Sequence, residues 1–181
     1  MKIWPVPEGE PSFGNGARSS GAFWENRGDR RHCGVDIYAP EGSRVLAVDD
    51  GEVLDVGTFT SSDRVPYWNT TYYVLVRHAA APIGKYAELG ESCVSRGDRV
   101  RAGDVIGLVG SVLDPKRVSE DAPKYIQALI RENHHSMLHF ECYRLVPTEP
   151  LSCYLGGNVF SHEMPDHLVD PTPFLNAISR G

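Results

Sequence analysis

The sequence predicts a mainly β domain, a compact β-sheet architecture with one inserted α-helix. Three observations carry that expectation. Short β-branched segments follow one another between Gly-Asp and Pro-Glu-Gly turns, one stretch alone has helical apolar spacing, and nothing repeats at a solenoid period. With 181 residues, 41% hydrophobic and 23% charged, the chain is expected to fold as one domain, 1–181, whose core needs no disulfides.

Residues 1–31 are rich in Gly, Ser, Pro and Arg and read as loop, anchored by Trp4, Phe13, Phe23 and Trp24. VDIYA, RVLAV and GEVLDV then read as strands, separated by turns at Pro40-Glu41-Gly42 and Asp49-Asp50-Gly51. A polar loop is expected over 58–71, a strand at YYVLVR (72–77) and another from Lys85 to Leu89. VSRGDRVRAGDVIGLVG places two Gly-Asp turns between β-branched positions, the pattern of tight hairpins. The helix is expected from Ser119 to Asn133, within an insert spanning 118–134. Ser119 would cap it, Pro123 would fall in its first turn, and Val118, Ala122, Tyr125, Ile126, Leu129 and Ile130 would form its apolar face. Met137–Tyr143 reads as a strand, and DPTPFLNAI as a short closing helix.

The formal net charge of -6 argues against a protein that binds nucleic-acid phosphates, and no apolar run reaches the length of a membrane span. The N-terminus has no apolar stretch of the kind a secretory signal needs. Cys33, Cys93, Cys142 and Cys153 form no CxxC pair, which excludes a zinc ribbon; they read as reduced thiols, with disulfides left open.

Chemistry concentrates in two short segments. In an extended His32-Cys33-Gly34-Val35-Asp36, side chains alternate, so His32 and Asp36 share a face with only Gly34 between them, while Cys33 turns toward the core. In Met137-Leu138-His139-Phe140-Glu141, the face of Leu138, Phe140 and Cys142 belongs to the core and His139 points the other way. Two imidazoles and one carboxylate make a three-donor set suited to catalytic zinc. Glu141 shares the face of His139 and could orient it through a hydrogen bond.

HCGVDIYAPEGSRVLAVDDGEVLDVG is similar to the HxGxD segment of the lysostaphin/LytM-type zinc endopeptidases. SRGDRVRAGDVIGLVG resembles that family's Gly-rich strand pair, MLHFE its HLHFE, and VDPTPFL its closing Asp-Pro segment. The resemblance implies the family's β-sheet/barrel-sandwich fold with an open groove, and zinc held by His32, Asp36 and His139. It also implies a peptidoglycan peptide as substrate, with neither nucleic acid nor membrane as partner. Without a visible export signal, such a protein would reach the periplasm or cell wall by another route, or stay in the cytoplasm.

Two family histidines are replaced. The first His of HxH is Met137, and the His of Tyr-x-His-Leu is Glu88. A thioether donates no hydrogen bond, so a developing oxyanion would lose that partner. Glu88 is a competent base near a cation, and His135, two positions before Met137, is the candidate to supply the missing donor. The leading expectation is a zinc metalloendopeptidase of peptidoglycan with Glu88 and His135 as catalytic groups. The alternative is a pseudoenzyme that keeps metal and groove and binds peptidoglycan or regulates a partner wall hydrolase. A carrier domain is a third reading, set aside because no modifiable Lys lies at a hairpin tip.

Overall fold

A computed structural model describes residues 1–13, 20–147 and 153–178. Part of the expected N-terminal loop, 14–19, lies outside the described residues. In chain order the strands are β1 (Glu10–Pro11), β2 (Arg31–His32), β3 (Val35–Tyr38), β4 (Arg44–Leu46), β5 (Gly51–Thr60), β6 (Thr71–His78) and β7 (Ile83–Ser92). They continue as β8 (Arg99–Val100), β9 (Val105–Ser111), β10 (Ser136–Tyr143), β11 (Tyr154–Leu155), β12 (Asn158–Val159) and β13 (Leu168–Val169). The helices are α1 (Lys124–Arg131) and α2 (Thr172–Asn176), with a 3-10 turn at Pro115–Arg117.

Ten strands form one antiparallel sheet in the order β1-β3-β10-β9-β7-β6-β5-β8, with β13 added to β10 and β4 to β9. β10 pairs β9 through Ser136 and Met137, then β7 from His139 to Tyr143, as the sheet curls into a half-barrel. The strand residues explain the curl's two faces. Leu138, Phe140 and Cys142 enter the main core with Val74, Val76, Ile37 and Leu89, while His139 and Glu141 lie on the other face. The Gly-Asp turns form as expected. Asp98 and Asp104 each accept a backbone N–H three residues earlier, both at 2.8 Å, and Gly97 and Gly103 carry φ of +91°.

Three local expectations shift. β5 runs through Thr60, which shortens the expected loop; Thr60 and Thr71 close its start with a buried hydroxyl pair at 2.6 Å. HCGVD is not one strand. It breaks at Cys33-Gly34, where the backbone crosses β10 so closely that a Cβ on Gly34 would stand 2.5 Å from the Phe140 carbonyl oxygen. The helix starts at Lys124 and not at Ser119, because Pro123 disfavours helical geometry at the residue before it. Asn133, in the left-handed region at φ +54°, stops it. Its apolar face is as read: Ala122, Ile126 and Leu129 pack with Trp68, Val112, Leu113 and Met137 in a second cluster. Among the described residues no helix is long and apolar enough to cross a membrane.

Candidate metal centre

A separate three-stranded sheet, β11-β12-β2, lies over the metal-facing side of β10 and pairs Asn158 with His32. It delivers His32, while β3 delivers Asp36 in register with His139 of β10. The ligand atoms of His32, Asp36 and His139 all lie within 4.8 Å of one another, the one such group among the described residues. His32 Nε2 is 2.9 Å from His139 Nδ1 and 3.3 Å from Asp36 Oδ1, which is itself 3.0 Å from His139 Nδ1.

The outer atoms of each ligand are committed elsewhere, which fixes what points inward. His32 Nδ1 donates to the Ala22 carbonyl at 3.0 Å, leaving Nε2 as a lone pair. His139 Nε2 donates to Glu141 Oε1 at 2.8 Å, leaving Nδ1 likewise. Arg27 holds the outer oxygen of Asp36 at 3.5 Å, and is itself fixed by Glu25 at 3.2 Å, by Asn158 at 3.1 Å and by the Tyr125 ring 4.8 Å away. Three polar atoms therefore converge where one positive charge, a proton on His139 Nδ1 or a metal ion, has to stand between them. The protonation equilibria express the same demand. Burial opposes charge on His139, but Asp36 and Glu141 outweigh it and lift its pKa to about 9. Burial and Arg27 hold His32 down, while the Asp36 carboxyl, despite burial, is drawn well below its usual range by the two histidines. Two nitrogens and one oxygen at this spacing fit zinc, which takes such sets tetrahedrally.

Glu141 is fully buried, accepting from the hydroxyls of Tyr143 and Tyr154 as well as from His139, with Lys85 Nζ 3.7 Å away. Phe59 stacks on the His139 ring at 5.6 Å. Cys33 turns away into an apolar cluster with Leu75, Tyr143, Val159 and Leu168, and burial pushes its thiol well above its ordinary pKa, so it offers no thiolate.

Glu88 follows Ala87, the cross-strand partner of His139, and adopts φ +62°, unusual for a residue with a Cβ. It is buried, its Oε2 has no hydrogen-bond partner, and burial and then the nearby Asp36 raise its pKa to about 8. His135 lies elsewhere. Its Nδ1 is 2.9 Å from Ser111 Oγ and its Nε2 is 3.1 Å from Asn133 Oδ1, and it takes no part in the three-residue group. Met137 shares the face of His139 but is absorbed by the apolar cluster under α1.

The triad is not the floor of an open groove. His32, Asp36 and His139 are 1%, 4% and 1% exposed, because the β11–β12 hairpin turn lies on His139 and the chain at Gly21 lies on Asp36. That turn is Gly156-Gly157, both at positive φ (+52° and +73°), and a Cβ on Gly157 would stand 2.7 Å from the His139 ring. The Cys33 amide donates to the Gly157 carbonyl at 2.8 Å and ties the turn down. Arg27, Lys85, Tyr154 and Gly157 are members of the site that pattern reading did not find. Only the turn carried a local signal, YL-Gly-Gly-NV, the spacing of a two-residue hairpin.

Residues 30–147 match the model of peptidase family M23. DD-carboxypeptidase/endopeptidase Mpg of Neisseria meningitidis is 38% identical over 82 residues, covering 45% of this chain and 17% of its own. Murein hydrolase activator EnvC of Escherichia coli is 33% identical over 112 residues, covering 54% of this chain and 24% of its own. A crystal structure of a peptidase M23 from Pseudomonas aeruginosa shares the fold, with a TM-score of 0.52 and 20% identity over 99% of this chain and 52% of that one. The chain thus spans no more than about a quarter of the length of these curated relatives. The match covers both ligand-bearing segments, and the chain belongs to peptidase family M23, the lysostaphin/LytM-type peptidases.

Proposed function

We propose that this chain is a zinc metalloendopeptidase that cleaves peptides of bacterial peptidoglycan in the periplasm or cell wall. The observation that carries the reading is a closed three-donor set with the orphaned carboxylate oxygen of Glu88 beside it. His32, Asp36 and His139 would hold zinc, which would supply a Lewis acid for the scissile carbonyl. Glu88 takes the proton of the attacking water and returns it to the leaving amine. Burial lifts its pKa to about 8 in the metal-free site, and a bound zinc ion would favour the ionised form that accepts the proton. Arg27 keeps the outer oxygen of Asp36 occupied, and Glu141 keeps His139 in the tautomer that turns Nδ1 inward.

Purified sacculi incubated with the zinc-loaded protein test this. Soluble peptide should appear, should stop with a chelator, and should fall about a hundredfold or more in rate in Glu88→Gln, the usual contribution of a general base. Absence of chelator-sensitive release overturns the reading. His135→Ala tests the other expected catalytic group, and unchanged activity removes it from the set.

A second reading has its own support. Met137 is fixed in the apolar cluster, the triad is covered by the hairpin, and one similar protein is a murein hydrolase activator. A non-hydrolytic protein that binds wall peptides or a partner hydrolase predicts retention on sacculi with no cleavage by zinc-loaded wild type.

A further inference from the structure

Behind Glu141 lies a cavity of about 390 Å³, within the size range of small-ligand sites. Phe59, Tyr73, Tyr143 and Tyr154 wall it, and Gly156 of the turn that covers the triad also lines it. Its ionisable lining is unevenly used. Lys85 is committed to Tyr154 (2.8 Å), to Glu141 and to the faces of three aromatic rings. Asp55 accepts the Tyr73 hydroxyl at 2.6 Å, and this blunts its charge toward the cavity. Arg64, in the loop between β5 and β6, is exposed and engaged by no described side chain. His167 stacks on Tyr143, 5.7 Å between ring centroids, and no described residue bonds its ring nitrogens.

We infer that this cavity is the subsite for a carboxylate of the bound peptide, with Arg64 as the specificity-determining cation and His167 beside it. Lys85 is already paired with Glu141 and Asp55 already accepts the Tyr73 hydroxyl, so Arg64 brings the charge of the described lining that no described side chain answers, and an entering anion is favoured over a cation. Arg64 has free donors in the planar fork that matches a carboxylate. Lys85, at the inner wall, is bonded to the carboxylate that orients His139, so the subsite adjoins the metal ligand through one side chain. The inference rests on the proposed wall peptide as ligand, since such stems carry free carboxyl groups, and it does not require that the peptide be cut.

The test is calorimetric titration of the zinc-loaded protein with a soluble stem peptide, and with the same peptide amidated at its carboxyl groups. Wild type should bind the free acid about tenfold or more tightly than the amide, the scale of one charge-assisted contact. Arg64→Gln should lose that preference, Arg64→Lys should keep part of it, and both should hold the wild-type zinc content. Equal affinity for the two peptides, a preference that survives Arg64→Gln, or no binding of either peptide overturns the assignment. Peptide cleavage is followed in the same samples. Cleavage without charge preference sinks the subsite and leaves the peptidase; charge preference without cleavage supports the subsite and removes the peptidase.

Discussion

Glu141 has no solvent and four partners: the His139 ring, two tyrosine hydroxyls and Lys85. Burial works against its charge, yet those partners hold its carboxyl well below the usual range, so it stays an acceptor at any working pH. Glu141→Gln keeps the shape and removes the charge, and should weaken zinc binding about 10- to 100-fold, as measured by competition with a chromophoric chelator. Away from the site, His78 donates through Nδ1 to the Asp49 carbonyl (3.1 Å) and accepts the Tyr86 hydroxyl through Nε2 (2.9 Å), a network that only neutral imidazole satisfies. Burial lowers its pKa in the fold. The unfolded chain therefore binds that proton first, so the stability His78 contributes is full above about pH 6.5 and drains as pH falls below it. The difference in urea midpoint between wild type and His78→Gln should accordingly be larger at pH 8 than at pH 5.5. At this scale His139 and Glu141 were legible because alternation along β10 puts them on one face, whereas His32 and Asp36 were legible through the HxGxD resemblance, since the chain breaks between them at Cys33-Gly34. Arg27 and Lys85 were not, since their roles come from a loop crossing and a cross-strand neighbour far away in sequence.

Helix α1 is where periodicity informed most and boundaries least. Its apolar stripe was readable from spacing, but the helix starts at Lys124 in place of Ser119 and ends at Arg131 in place of Asn133, about two turns shorter in all: Pro123 sets one limit and left-handed Asn133 the other. The stripe buries Ile126 and Leu129 onto Met137, the residue that the resemblance reads as replacing the first His of HxH. Leu129→Ala should cost about 2–5 kcal/mol of unfolding free energy, read from chemical denaturation. Met137→His would put an imidazole among Trp68, Leu113 and Leu129, and should also destabilise the fold. Restoring the histidine alone is therefore expected to raise no activity unless the helix is moved. The curled sheet was legible as a series of strands and turns. Its order was not, because β10 takes neighbours on both edges from four separate stretches of chain.

Across the whole molecule, the ligands belong to two sheets: His32 to the small one, Asp36 and His139 to the large one. A metal bound there would tie the sheets together, so its removal should lower the melting temperature. A thousandfold excess of zinc over its dissociation constant stabilises the folded state by about 4 kcal/mol, visible by calorimetry with and without chelator. The sequence foretold the triad but not this division, since nothing local in Arg31-His32 shows that it pairs with Val159 and Asn158. The Gly156-Gly157 turn gives the division a time order. β10 lies between paired neighbours on both edges, whereas the hairpin hangs from two-residue strands and the Cys33 amide bond. Without metal, deuterium should enter the amides of Cys33 and Asn158 long before that of His139, and the lag between them would measure how long the half-open molecule lives.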